Sequence, residues 1–75
     1  MQLEDFVQKF GACFNQTDPA TIKADTRFRE LEEWGSMMAL IVIAMVDGDF
    51  GKTLTADDLK SANTVEQLFE IVKNK

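Results

Sequence analysis

Histidine and tyrosine are absent from this chain, cysteine and proline occur once each, and glycine occurs four times in 75 residues. Without histidine, a Ser-His-acid triad, a Cys-His pair and the ordinary zinc donor sets are excluded within the chain. The lone cysteine, Cys13, cannot close an intrachain disulfide, which fits a reducing compartment. Basic residues are also scarce, eight against thirteen acidic ones, for a net charge of −5. That balance repels nucleic-acid phosphates and anionic membrane surfaces and favours partners that present Lys or Arg. No long apolar run is present: the longest, Met37 to Val46, MMALIVIAMV, is ten residues, half of the ~20 that a membrane span requires. Residues 1 to 15 carry Glu4 and Asp5 near the start and lack a basic stretch leading into an apolar one. The expectation is a cytoplasmic protein with no secretory segment and no membrane span.

What is present is apolar. Hydrophobic residues make up 45% of the chain, with six Phe and one Trp, enough for a real core in one domain spanning 1–75. A domain of this size buries only ~60–65% of the surface its unfolded chain exposes, which leaves little interior for a catalytic cavity.

Leu3, Phe6, Val7, Phe10 and Phe14 recur at offsets of three and four, so residues 2 to 15 read as an amphipathic helix, weakened but not ended by Gly11. Asn15 to Pro19 form a polar break, with Asp18 and Pro19 suited to starting a short turn. No long period persists from Pro19 to Gly35. Ile22, Phe28, Leu31 and Trp34 instead read as anchors that pin a long loop to the core, with one short turn around Phe28 to Glu32. Ser36 is placed to cap a helix running through Phe50. Its inward face is expected to centre on Leu40, Ile43 and Phe50, flanked by Ala39 and Val46. The opposite face then carries Met37, Ile41, Ala44 and Gly48, with Met38 and Met45 beside it, and so much apolar surface calls for a covering partner. Gly51 suits a left-handed terminus, Thr55 and Asp58 frame a short helix anchored by Leu59, and Thr64 with Gln67 opens a last helix whose apolar side is Val65, Leu68, Phe69, Ile71 and Val72. The fold class is therefore all-α: a four-helix bundle with three longer helices, a short third one and an overlong connection between the first two.

Few residue groups suggest chemistry. Asp47, Asp49, Thr53 and Asp58 occupy positions one, three, seven and twelve of a calcium-loop register, but Gly51, Lys52 and the aspartate at twelve break it. An acidic, solvated helix terminus accounts for them, and no metal is expected. Glu30, Glu32 and Glu33 have no nucleophile to activate and read as charged surface. Cys13 reads as a small buried hydrophobe. Ser36 remains, either as a plain helix cap or as a modification site. A long loop delivers it, an apolar helix follows it, and an anion attached there would sit at the positive end of that helix.

The order of elements around Glu33-Trp34-Gly35-Ser36-Met37 resembles an acyl carrier protein or the similar peptidyl carrier proteins. That family has a long loop followed by an Asp-Ser-Leu signature at the start of the second helix, matched here by Gly35-Ser36-Met37. The similarity extends through Phe50, Leu54, Asp57-Asp58-Leu59 and Thr64-Val65. The version with Trp34 before the signature resembles discrete carriers of small biosynthetic clusters. The resemblance implies that Ser36 carries 4′-phosphopantetheine, installed from coenzyme A by a phosphopantetheinyl transferase, and that the arm's thiol holds an acyl or aminoacyl group as a thioester. It implies no catalysis by the carrier itself. Partner ligases, synthases and transferases would dock on Met37, Ile41, Ala44, Asp47 and Gly48, with Gly35 and Asp49 adjoining, and the apolar face could also self-associate weakly. Gly35 stands where the signature aspartate recruits the transferase. Losing one charge-assisted contact costs about 1 kcal/mol or more at docking, which leaves slow modification, a dedicated transferase or no modification open. Ile41, where many carriers have Glu, implies an interface less dependent on salt. In the unmodified alternative, Ser36 is only a cap and the second helix serves as an interaction surface.

Overall fold

The computed structural model describes all 75 residues, Met1–Lys75. The chain is an all-α bundle of four helices: α1 (Leu3–Ala12), α2 (Ser36–Met45), α3 (Ala56–Ser61) and α4 (Val65–Lys73). Helix α1 is shorter than residues 2 to 15. Its last turn tightens, Cys13 N–H bonding Phe10 C=O at 3.1 Å and Phe14 N–H bonding Gly11 C=O at 3.2 Å. This closes orphan carbonyls and turns the chain away.

Packing is organised by aromatic rings. Phe10 lies at full burial in α1, with ring centroids of Phe14 and Phe28 each 5.5 Å away and those of Phe6 and Trp34 at 6.2 and 6.4 Å. Phe6 extends the cluster to Phe50 on one side and Phe69 of α4 on the other, at 5.7 and 5.8 Å. Tilted and edge-on geometries at these distances add to the area term. Aliphatic side chains of α2, the turn after it, α3 and α4 complete the core, with Val42, Val46, Leu59, Val65, Leu68 and Val72 all buried.

The long connection from Cys13 to Gly35 is pinned to the core as expected, and both expected short turns form. Two 3₁₀ turns interrupt it, Pro19–Thr21 and Phe28–Glu30. Asp18 caps the first, its Oδ1 accepting from Ala20 N–H at 3.0 Å. Ile22 and Phe28 are buried, and Leu31 and Trp34 pack partly against the core, so all four anchors engage. The segment also closes another helix: Thr26 C=O accepts from Val65 N–H at 3.1 Å and Ala24 C=O from Glu66 N–H at 2.8 Å. These are orphan donors of the first turn of α4.

Local signals hold in the second half. Thr55 and Thr64 each form a complete capping box, with Asp58 and Gln67 as the returning partners. Gly51 has φ +67°, a left-handed conformation that a side chain at this position would strain. Helix α2 departs from expectation in two ways. Its regular part ends at Met45, and Val46–Phe50 forms a wider π turn before Gly51. Its buried face is Met38, Val42 and Val46, while Leu40 is 64% exposed. The expected inward centre on Leu40 is therefore wrong by about one position, or ~100° of helix rotation, and Met38 belongs to the core rather than beside the outer face. Ile43 and Phe50 pack partly inward as expected. No polar residue between Met37 and Val46 marks either face, so only the packing of α1 and the loop could select one. No helix of the molecule is long and apolar enough to cross a membrane.

Candidate functional site

Trp34 connects the aromatic core to the serine. Its ring meets Phe28 edge-on at 5.0 Å and lies near-parallel to Phe10 at 6.4 Å, with Phe14 also at 6.4 Å. Two residues later the chain enters α2. The same segment is clasped from its other side by Glu33, whose carboxylate accepts from Asn15 N–H at 2.9 Å, Gln16 N–H at 3.0 Å and the Thr17 hydroxyl at 2.9 Å. Burial alone would raise the Glu33 carboxyl. The hydrogen bonds from Asn15, Thr17 and Gln16 outweigh it and hold the group below its ordinary value. Glu33 is thus a structural clasp across the ends of the loop, a role its sequence context gave no sign of, because its partners lie 16 to 18 residues away.

Ser36 is exposed and is the first residue of α2. It is not the cap. Gly35 holds that position in extended backbone, and no side chain hydrogen-bonds the free N–H groups of the first turn. Because Ser36 already has helical backbone, its hydroxyl does not take the capping geometry. A nucleophilic oxygen thus stands free at the amino end of a ten-residue helix, beside a glycine with open space where a side chain would be.

Of the other residues singled out, Met37 and Ile41 are 72% and 36% exposed, and Ala44 is exposed below them. Leu40 joins this strip. The outer face is thus broader than anticipated. Asp47, Gly48 and Asp49 are exposed at the far end, in the π turn. Acidic side chains there face the negative end of the helix dipole, where they oppose the helix. Cys13 is half-buried, its thiol donating to Lys9 C=O at 3.4 Å. Burial first, and then the charge of Asp49, raises the thiol, so it is a poor nucleophile. Asp58 is committed to Thr55 N–H and to Lys75, at 3.0 and 2.8 Å.

A groove of about 330 Å³ opens beside Ser36, between the start of α2 and α3. Trp34, Ala39, Ala56 and Leu59 give it a largely apolar lining, completed by Arg29 and Lys60 at its edge. Of this set the sequence marked Gly35 and Ser36 as site residues and Trp34, Ala39 and Leu59 only as packing positions. The lining comes from the second 3₁₀ turn, the start of α2 and α3, and only the fold brings these together. A larger groove of about 570 Å³ lies between α1 and the first 3₁₀ turn, lined by Leu3, Val7, Pro19 and Ile22 among others, but no hydroxyl or thiol side chain lines it.

Compared with known protein families, the chain matches the one described as phosphopantetheine attachment site, over residues 13–72. That span runs from the end of α1 to the last turn of α4 and includes the serine, the groove and the outer face of α2. Neither the curated proteins nor the solved structures include a match.

Proposed function

The chain belongs to the phosphopantetheine attachment site family of carrier domains, and from that premise we propose that Ser36 bears the arm and that the loaded protein presents acyl or aminoacyl thioesters to biosynthetic enzymes. The observation that carries this reading is the state of the serine: exposed, first in its helix, and not used as a cap. In the loading step its Oγ attacks the phosphorus that bears pantetheine in coenzyme A. An O–P bond forms, the pyrophosphate P–O bond breaks, adenosine bisphosphate leaves, and the hydroxyl proton passes to a base on the transferase. The free N–H groups of the first turn of α2 favour the new negative charge. When bound, the arm supplies a terminal thiol that holds a carboxylic acid as a thioester.

The outer strip of α2 is the docking surface in this reading. Met37, Leu40, Ile41 and Ala44 supply apolar contact, and Asp47 and Asp49 supply charge for a basic patch on the transferase and on the acyl-loading ligases, synthases and transferases. Acids held against the helix dipole are better explained by such a partner than by helix stability. Gly35 supplies no acid beside the serine, so recruitment depends on the apolar strip and on the acids one helix length away.

Incubation with coenzyme A and a broad-specificity phosphopantetheinyl transferase, followed by intact mass, tests the reading. One phosphopantetheine is expected on the native chain and none on Ser36→Ala. No increment with several transferases would favour the second reading, in which the chain is an unmodified interaction module. The exposed Met37, Leu40 and Ile41 support that alternative, and concentration-dependent self-association or partner capture lost in Leu40→Asp would support it further.

A further inference from the structure

Nothing at the start of α2 holds the serine locally. Gly35 is extended with open space around it, and no side chain caps the first turn. Two tethers just upstream hold the segment instead. One is the Trp34 ring, packed against Phe28, Phe10 and Phe14. The other is the Glu33 carboxylate, which reaches the opposite end of the long connection. Its Oε2 accepts from Asn15 N–H at 2.9 Å, and its Oε1 accepts from Gln16 N–H at 3.0 Å and from the Thr17 hydroxyl at 2.9 Å. Both oxygens are thus engaged by three consecutive residues just past α1. The clasp closes the base of the excursion that runs out through the two 3₁₀ turns and returns to the serine. Glu32, its neighbour, is exposed and takes no part in either tether.

We propose that Glu33 is a positioning residue for the loading reaction, fixing how Ser36 Oγ is presented, and that its clasp stands in for the side-chain cap that α2 lacks. The proposal rests on the reading of Ser36 as the attachment site. Transfer of the arm needs Oγ aligned with the phosphorus it attacks, and a nucleophile on a loose segment is rarely in that geometry. Docking and aiming are separable on this fold. The exposed strip Met37, Leu40 and Ile41 follows the serine along α2 and meets the transferase, whereas Glu33 precedes it and is engaged with the exit of α1. Losing the strip weakens the encounter. Losing the clasp leaves the encounter intact and lowers the fraction of docked serines able to react. Glutamine cannot replace the clasp, because its amide has a single acceptor oxygen and an NH₂ that would face a backbone N–H.

Single-turnover loading from coenzyme A, followed by intact mass over a range of transferase concentrations, gives a maximal rate and a half-saturating concentration. The native chain is compared with Glu33→Gln, Thr17→Val and Glu32→Gln, and far-UV circular dichroism checks that each is folded at the assay temperature. Thr17→Val keeps the Glu33 charge and removes one donor; Glu32→Gln removes a charge from the same segment and leaves the clasp. The maximal rate should fall about tenfold in Glu33→Gln and about threefold in Thr17→Val, with half-saturation within about twofold of native. Glu32→Gln should match the native chain. In a Gly35→Asp background, where a cap is supplied, the loss caused by Glu33→Gln should shrink. A native maximal rate in Glu33→Gln, a change in half-saturation alone, or the same loss in Glu32→Gln overturns the positioning role and leaves the carrier reading standing. An undiminished loss in the Gly35→Asp background overturns the exchange of clasp for cap. If Glu33→Gln fails to fold, Thr17→Val decides alone, a native maximal rate there overturning the role. Failure of the native chain to load removes the carrier reading and this proposal with it.

Discussion

Helices α2 and α4 bury similar side chains by different means. Helix α4 alternates Glu66, Gln67, Glu70 and Lys73 with Val65, Leu68, Phe69 and Val72, so its polar side chains label the outer face before any tertiary contact exists. Beyond its first residue, Ser36, helix α2 has no polar residue through Met45. Its apolar strip can face inward or outward, and the core chose Met38, Val42 and Val46. A helix that is apolar all round is normally buried all round. Here one side stays exposed in the chain alone, in keeping with the docking role proposed for it.

The largest expected effect separates the two faces of α2. Val42→Asp places a carboxylate among buried aromatic and aliphatic side chains, costs several kcal/mol, and should leave no cooperative thermal transition. Leu40→Asp, two residues earlier, should shift stability by no more than about 0.5 kcal/mol. Equal damage at the two positions would mean that the helix is rotated from the arrangement described. In α4, Leu68→Ala should cost ~2–5 kcal/mol in urea unfolding, comparable with a large fraction of the ~4–11 kcal/mol typical of a domain this size. The capped start of α4 should contribute less: Thr64→Ala costs ~0.5–2 kcal/mol, whereas Ser36→Ala at α2, where no cap is lost, should be close to neutral.

Gly35→Asp carries the contrast to loading. Gly35 is extended, and no atom lies within 4 Å of the point where a Cβ would stand, so aspartate fits and supplies the side-chain cap that α2 lacks. A gain of a few tenths of a kcal/mol in stability is expected, together with faster transfer of the arm to Ser36, measured by the rate of mass increment. Unchanged loading would show that the absence of an acid at this position does not limit the transferase.

The smallest effects concern pH. Hydrogen bonds from Lys75 and Thr55, opposed by burial, lower the Asp58 carboxyl, and the Glu33 clasp lowers its own. Because both folded values lie below the unfolded ones, ~3.9 for Asp and ~4.3 for Glu, the stabilisation is present above those values and is lost as pH falls through the folded ones. Asp58→Asn should therefore lower the melting temperature modestly at pH 7 and converge with the native chain at the lowest pH. Glu33→Gln should behave alike, and should in addition loosen the segment before Ser36, seen as faster amide exchange at Asn15 and Gln16.

The four helices were legible wherever the chain carried its own punctuation. Threonine followed three residues later by Asp or Gln starts α3 and α4, and glycine at +67° ends the turn after α2. The anchors Ile22, Phe28, Leu31 and Trp34 were legible too, since large apolar residues in a polar loop have nowhere else to go. The serine stood out as the residue between an overlong loop and an apolar helix. That it is the first helical residue rather than the cap was not legible, because the two positions differ only in backbone angles.

Caps, turns and amphipathic periods depend on contacts within about four residues, so sequence alone specified α1, α3, α4 and the order of the bundle. The inward face of α2, the Glu33 clasp across 16 to 18 residues and the meeting of Ala56, Leu59 and Ser36 in one groove belong to the tertiary structure. Each joins residues that carry no local mark of one another, and only the packing of the aromatic cluster brings them within reach.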